Sequence, residues 1–467
     1  MKKFIPLIII EGATVMVVEL CGAKLMAPIF GGSLFVWAAI LAITLSALAF
    51  GYYYGGVLSS KTNLNNKLYQ VIVIASCFIA LMPFISFYIL PYISYINFKI
   101  AVLLSAFVLI FIPIFLLGCT TPLLIRINTI SIETAGSTSG KIYAISTVGG
   151  IVSTLLCGFI LIPFIGLKFT LLIFAIVLFL TGTLSLKVFK INSTLILIVV
   201  FVFSIKTYAR SPNALYANCG VLGEIEVTDY NQTHVRQLLI NKIVQTEMDL
   251  NSKTSTSDYI KMIDTLIPMQ KVKSNALILG LGGGLLANLL DNKNYKVDGV
   301  EFDARIIDAA KDFFNLKNSI STYCEDARYF INNCNEKYDL IIFDLFKAEE
   351  QPSHIITIES LSKVKEMLNK DGLIVINWHG YIKKPLGEGT QILLNTLRKS
   401  QFKVVIRSSS SKEDYSNTLI IAKNNDISIN SYLEPVNTDD EPILEFANAK
   451  ANLRWRMNYL RFYQNRN

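Results

Sequence analysis

The chain has 467 residues, 52% of them hydrophobic, a mean hydropathy of +0.46 and a formal net charge of +8. That is too apolar for one soluble domain and too long for one core, so a membrane domain followed by a soluble domain is expected. No basic stripe with interleaved aromatics occurs before the extreme C-terminus, which argues against a nucleic-acid partner and assigns the positive charge to short loops and the lipid surface.

Lys2 and Lys3 precede an apolar run from Phe4 that Glu11 and Glu19 interrupt, so it reads as a first membrane segment rather than a signal peptide. Further apolar runs are Leu34–Leu58, Leu68–Ile93, Ile100–Leu124, Ile142–Ile165, Phe169–Leu186 and Ile191–Ile205. Most reach the roughly 20 residues that cross a bilayer. Residues 1–207 are thus predicted to form a transmembrane helical domain of about seven segments. Pro83, Pro113 and Pro163 should kink their runs, and Gly149, Gly150 and Gly158 should allow close helix contacts. Intramembrane carboxylates are costly, so Glu11 and Glu19 either line a path for a cation or pair with a base such as Lys24 or Arg126.

The seven cysteines are scattered without a C-x-x-C, and the three histidines are not spaced as a metal pair, so neither a disulfide framework nor a metal site is expected.

From Asn213 the pattern changes. Glu224–Thr228 and Val235–Ile240 alternate polar and apolar residues about a turn at Asn231–His234, giving a small antiparallel β unit over 214–252. An α/β Rossmann-like domain is predicted over 253–425. Its centre is Ala276–Leu279, then Gly280-Leu-Gly-Gly-Gly284, a helix-like run, and Val297–Glu301. A strand, a glycine turn and an acid about 20 residues on is the pattern of a nucleotide-binding βαβ unit. The glycines admit close approach of backbone N–H groups, and Glu301 is placed for ribose hydroxyls. Leu285 stands where a dinucleotide motif has its third glycine, which favours a single nucleoside. Asp326-Ala327 and Asp344 end two further strands on the same edge.

Beyond Asp344, Ile355–Leu368 is predicted as a helix closed by Lys370-Asp-Gly372, Leu373–Trp378 as a buried strand, Gln391–Ser400 as a helix, and Phe402–Ile406 and Thr418–Ala422 as closing strands. Residues 426–467 hold an acidic turn at Thr438–Pro442 and a basic, aromatic helix, suited either to an anionic membrane surface or to docking on the soluble domain.

The charge bias of Lys2, Lys3, Lys61, Lys67, Arg126, Lys141, Lys187 and Lys190 against Lys24, Lys99 and Lys168 puts the N-terminus in the cytoplasm. Seven full spans would then export the nucleoside-binding half. Either the short Ile191–Ile205 segment or an earlier one therefore fails to cross, and the soluble half is expected in the cytoplasm, on a multi-pass protein of the inner membrane.

With these residues in hand, the chain resembles the spermidine synthase (polyamine aminopropyltransferase) family over about Gly220–Lys423, and most closely its membrane-fused members, through Val18-Glu-Leu20, Leu25–Pro28 and Phe35-Val-Trp37. The resemblance implies that Gln245, Gly280, Gly282, Gly284, Glu301, Asp326 and Ala327 bind decarboxylated S-adenosylmethionine or S-adenosylmethionine itself. It implies Asp344 as proton acceptor and Tyr259 at the acceptor site. It also implies an amine acceptor, polyamine or lipid amine, a homodimer, and no metal. Four positions depart from the family: its glycine-loop acid is Gly283, its histidine after the tyrosine is Ile260, the next Glu is Lys261, and its second catalytic-loop Asp is Lys347. Glu349 or Glu350 could supply that last carboxylate. Two alternatives follow: methyl transfer to a membrane-borne amine, or a nucleoside- or polyamine-sensing transporter without catalysis.

Overall fold

A computed structural model describes residues 2–30, 34–93, 96, 98–186, 214–220, 223–345, 353–383, 385–408, 417–424 and 434–464. The chain divides into two compact units, Met1–Arg210 with Cys219–Gly223, and Ser211–Asn218 with Glu224–Asn467.

The first unit is helical: α1 (Ile5–Phe30), α2 (Leu34–Ser59), α3 (Leu64–Tyr88), the short α4 (Leu90–Ile93), α5 (Phe98–Ala106), α6 (Ile112–Asn128), α7 (Ile132–Leu156) and α8 (Leu167–Leu186). Among the described residues five helices are long and apolar enough to cross a membrane: Lys2–Ala27, Phe35–Ser59, Leu64–Tyr88, Lys99–Asn128 and Ile132–Ile165, with a shorter apolar helix at Leu167–Thr183. The Ile191–Ile205 run lies outside the described residues. Helix α7 starts well before the predicted Ile142, because Ser131 and Thr134 form a capping box ahead of it.

The prolines are absorbed in two ways. Pro83 lies inside continuous α3. Pro113 follows a π-helical turn, Phe107–Phe111, and Pro163 lies inside another, Cys157–Ile165. A wider turn accommodates the hydrogen bond that proline cannot make.

Helix α1 packs against α7, α8, α2 and α6. A Cβ on Gly12 would stand 2.1 Å from the Ser146 carbonyl oxygen, and one on Gly149 would stand 2.4 Å from that of Ile9, so α1 and α7 touch backbone to backbone. Gly158 has open space beside it and makes no such contact.

In the second unit β1 (Ala214–Gly220), β2 (Gly223–Tyr230), β3 (Val235–Ile240) and β4 (Ile243–Asp249) form one sheet in that order. Then come α9 (Asp258–Leu266), β5 (Ser274–Leu279), α10 (Leu285–Asn292), β6 (Tyr295–Glu301), α11 (Ala304–Phe313), β7 (Ser321–Cys324), α12 (Ala327–Asn333), β8 (Tyr338–Phe343), α13 (Ile358–Met367), β9 (Leu368–Trp378), α14 (Glu388–Lys399), β10 (Phe402–Ser408), β11 (Thr418–Asn424) and α15 (Leu444–Gln464). The second sheet runs β10-β11-β9-β8-β5-β6-β7. Strands β5 to β9 are parallel, and β10 and β11 close the edge antiparallel. Arg236 on β3 joins the small sheet to the end of α11: it forks onto Asp229 at 2.7 and 2.8 Å and donates to the Phe313 carbonyl at 2.8 Å.

The Lys370-Asp-Gly372 turn does not stand between helix and strand as predicted. It is a bulge inside β9, which pairs with β8 from Leu368, slips, and resumes at Leu373. Helix α15 docks on the α/β unit through its first half. Asn448 donates to the His379 carbonyl at 3.3 Å, Trp455 stacks on His379 at 5.0 Å, and Arg454 lies over Tyr381 at 5.9 Å.

Candidate active site

Strand β5 lies between β6 and β8, so the chain leaves it in opposite directions and a crevice opens at its carboxyl end. The glycine turn after β5, Glu301 ending β6, Asp326 before α12, Asp344 after β8 and Asn377 near the end of β9 all fall on this edge.

The turn is built on positive φ, +92° at Gly280, +53° at Gly282 and +73° at Gly284. At Gly280 a side chain is doubly excluded, since a Cβ would lie 2.2 Å from the Asp344 carbonyl oxygen. Glu301 is buried, and its Oε2 accepts from the Leu281 and Gly282 amides at 3.2 and 3.4 Å while Oε1 accepts from the Asp303 amide at 3.2 Å. Burial holds its carboxyl above the usual range, and these backbone donors oppose the rise. Glu301 therefore shapes the turn itself, and a carboxylate with about four lone-pair sites keeps room for a further donor.

Thr246 of β4, which the sequence reading passed over, accepts from the Gly283 amide at 2.8 Å. A Cβ at Gly283 would lie 2.7 Å from the Thr246 methyl and 3.1 Å from the Phe314 ring, so the space an acid would need is filled. Gln245 is the unpaired residue of a β-bulge opposite Leu238 and Leu239. Its half-buried amide reaches only the Ile243 carbonyl, at 3.4 Å, and the bulge interrupts the alternation that would otherwise oppose it to Thr246.

Asp344 is fixed at both oxygens. Tyr259 on α9 donates its hydroxyl to Oδ2 at 2.8 Å, and Asn377 donates Nδ2 to Oδ1 at 2.7 Å. The Asp344 amide donates to the Leu279 carbonyl at 2.8 Å, which holds the residue against the glycine turn. Burial pushes its carboxyl above the ordinary range, opposed by the Asn377 and Tyr259 hydrogen bonds. Burial and the adjacent carboxylate hold the Tyr259 phenol well above its usual value, so it stays a donor. Asn417 donates to Asn377 Oδ1 at 2.8 Å and so orients that amide. Asn417 also hydrogen-bonds His379, whose imidazole burial pushes down to about 4. The sequence reading missed Asn377 and Asn417. The only signal was a polar residue inside the buried strand Leu373–Trp378.

Asp326 caps α12, its Oδ1 accepting from the Arg328 and Tyr329 amides at 2.8 and 3.1 Å, while His354 Nε2 stands 3.9 Å from Oδ2. Ala327 is buried behind it. Arg328 donates to Asp439 at 2.6 and 3.1 Å, to Thr357 Oγ1 at 2.9 Å and to the His354 carbonyl at 2.9 Å, so the acidic turn at Thr438–Pro442 clamps the chain ahead of α13. Lys347, Glu349 and Glu350 lie outside the described residues. Among the described residues no group of three or more His, Cys, Asp or Glu is placed to hold a metal ion.

A mostly parallel sheet with a glycine turn at its switch point, an acid ending the next strand and a cap-forming Asp ending the third defines a Rossmann-like domain of the nucleotide-binding type. Residues 258–393 match the protein-family model described as Spermine/spermidine synthase domain. The central part of the α/β unit is therefore similar to that family's domain. The "Polyamine aminopropyltransferase 2" of Aquifex aeolicus is 24% identical over 391 residues, covering 79% of this chain and 77% of that protein. An alignment of that length runs beyond the α/β unit into the helical one. The "N-terminal histidine N-methyltransferase" of Emericella nidulans is 31% identical over 130 residues, 26% of this chain and 23% of that protein. The chain thus spans under a quarter of this relative's length. A probable spermidine synthase structure from Corynebacterium glutamicum aligns at a TM-score of 0.38 and 18% identity, covering 51% of this chain and 86% of that one.

Proposed function

We propose that the protein is an integral-membrane transferase that moves an aminopropyl group from decarboxylated S-adenosylmethionine to an amine, with Asp344 as proton acceptor and the α/β unit in the cytoplasm. The observation that carries this reading is the half-buried Asp344 carboxylate, held by Tyr259 and Asn377 and facing no base among the described residues. A free alkylammonium has a pKa near 10 and no lone pair at neutral pH. Asp344 binds that ammonium and takes its proton as the nitrogen attacks the carbon next to the sulfonium. The C–N bond forms, the C–S bond breaks, and its electron pair leaves with sulfur in neutral methylthioadenosine. Proton acceptance by a positioned carboxylate contributes about 10² to 10⁴ in rate, and alignment of nitrogen, carbon and sulfur the remainder. Gly280, Gly282, Gly284, Gln245, Glu301, Asp326 and Ala327 are assigned to the nucleoside donor.

Gly283 favours a second reading. With Thr246 and Phe314 filling the space beside it, no carboxylate there meets the donor's ammonium. A donor that keeps its own carboxylate, S-adenosylmethionine, suits such a site, and the fungal relative's name is that of a methyltransferase. Mass spectrometry decides between the readings. Purified protein in detergent is offered each donor with putrescine and with lipid extract. Methylthioadenosine and an aminopropylated amine are expected; S-adenosylhomocysteine would instead make it a methyltransferase. Donor binding with neither by-product would leave the sensing transporter.

A further inference from the structure

Strands β11, β9 and β8 lie side by side in that order. Asp344 and Asn377 each follow the register pair Phe343–Ile376, and Leu419 pairs with Asn377 across the next ladder. Asn417, two residues before Leu419, therefore shares a sheet face with Asn377. Antiparallel β11 starts where parallel β8 and β9 end, so the three side chains meet at the carboxyl edge.

The hydrogen bonds between them run one way. Asn417 donates Nδ2 to Asn377 Oδ1 at 2.8 Å, and Asn377 donates Nδ2 to Asp344 Oδ1 at 2.7 Å. Asn377 is only 1% exposed, so water does not compete for its amide. An amide has a donor end and an acceptor end, whereas a carboxylate only accepts. Turned as it is, Asn377 supports the ionised form of Asp344. Turned over, it would present an oxygen that only the protonated carboxyl could meet. The donor on Asn417 makes that choice, because turning the Asn377 amide over would set N–H against N–H. Among the described residues the titratable groups around these three are Tyr259 of α9, at 2.8 Å from the other Asp344 oxygen, His379 just after β9, and Glu301 at the glycine turn.

We propose that Asn417 is a positioning residue: by fixing which end of the Asn377 amide faces Asp344, it holds that carboxyl in the form that accepts a proton. The inference rests on the proposed role of Asp344 and adds a residue that acts through another side chain.

The full chain in detergent, without donor, is titrated with acid while infrared difference spectra follow the carbonyl stretch of protonated carboxyls. The band missing in Asp344→Asn belongs to Asp344. Asn417→Leu keeps the bulk and removes the amide donor. Its Asp344 midpoint is expected to rise by at least about half a pH unit, an about threefold change in the acid-to-carboxylate ratio. Beside Asn377→Ala, the same Asn417→Leu change is expected to leave the midpoint where it is, because the two residues act in series. A midpoint that does not rise in Asn417→Leu, or a rise that persists beside Asn377→Ala, overturns the role. Calorimetry is expected to show donor affinity unchanged in each variant, which reports a folded α/β unit; should Asn377→Ala lose it, Asn377→Leu serves as the background. The kcat–pH profile is read on the same variants, and its acid limb is expected to follow the infrared midpoint. An infrared shift without a matching limb confirms the orientation and counts against Asp344 as proton acceptor, so the two failures are told apart.

Discussion

Each unit holds a carboxylate without a basic partner among the described residues, half-buried at Asp344 and buried at Glu11, and the two are held differently. Asp344 accepts from a phenol and an amide at 2.8 and 2.7 Å, both rigid donors on neighbouring elements of the sheet domain. Glu11 accepts from two small hydroxyls at 3.0 and 3.5 Å, one on each of two helices. The first arrangement fixes the carboxylate in one geometry, as the proposed proton acceptor requires. The second leaves rotors that can turn donor or acceptor toward the group. Glycine divides in the same way. In the helical unit Gly12 and Gly149 let backbones touch, whereas Gly280, Gly282 and Gly284 supply a left-handed turn.

The largest expected effect tests whether Asp344 is the proton acceptor. Asp344→Asn should lower kcat by about 10² to 10⁴ while calorimetry shows donor binding retained. Unchanged turnover would remove the residue from the chemistry.

Next come paired glycine substitutions that set the two uses against each other. Gly280→Ala forces a Cβ against the Asp344 carbonyl at positive φ, a cost of about 1–3 kcal/mol, and should weaken donor affinity at least about tenfold. Gly12→Ala should destabilise the helical unit in thermal scans and leave donor affinity unchanged. If both variants weaken the donor equally, the two units are not functionally separable.

Smaller effects sharpen the account of Asp344. Burial raises its carboxyl and the Asn377 and Tyr259 hydrogen bonds pull it back, so the acid limb of the kcat–pH profile should lie above the ordinary carboxylate range. The ionised form is the base, so activity is lost as pH falls through that limb. Tyr259→Phe and Asn377→Ala each remove a donor to the ionised form and should move the limb to higher pH, with kcat near the optimum reduced roughly tenfold for a hydrogen bond to a charged group. A limb that moves down would contradict these roles.

The smallest effect belongs to the acidic turn. Burial raises the Asp439 carboxyl, but the hydrogen bonds it accepts from Thr357 and Arg328, with the Arg328 charge, together hold it below the ordinary range. Its contribution is present above the unfolded carboxylate pKa and lost as pH falls through the lowered folded value. Because the pair is partly exposed, Asp439→Asn should cost no more than about 1 kcal/mol at neutral pH, read by thermal unfolding, and nothing at low pH.

Local pattern determined much of this protein. Long apolar runs favour helices, which pair their backbone polar groups within the segment, and six of those runs coincide with helices among the described residues. A strand, a glycine turn and an acid at fixed spacing require the switch-point crevice, because their geometry is set within one βαβ unit. Local pattern alone thus puts Gly280, Glu301, Asp326 and Asp344 on one edge. The tertiary structure alone decided what touches them. Asn377 reaches Asp344 across the β8–β9 pairing, and Asn417 reaches Asn377 across the β9–β11 pairing, each between segments far apart in sequence. Thr246 reaches the glycine turn from another sheet, and Ser146 reaches Glu11 across a helix contact that Gly12 permits. Periodicity fixes the face a residue occupies on its own element. Partners are chosen by register and by the distance of backbone approach, and these depend on the packed whole.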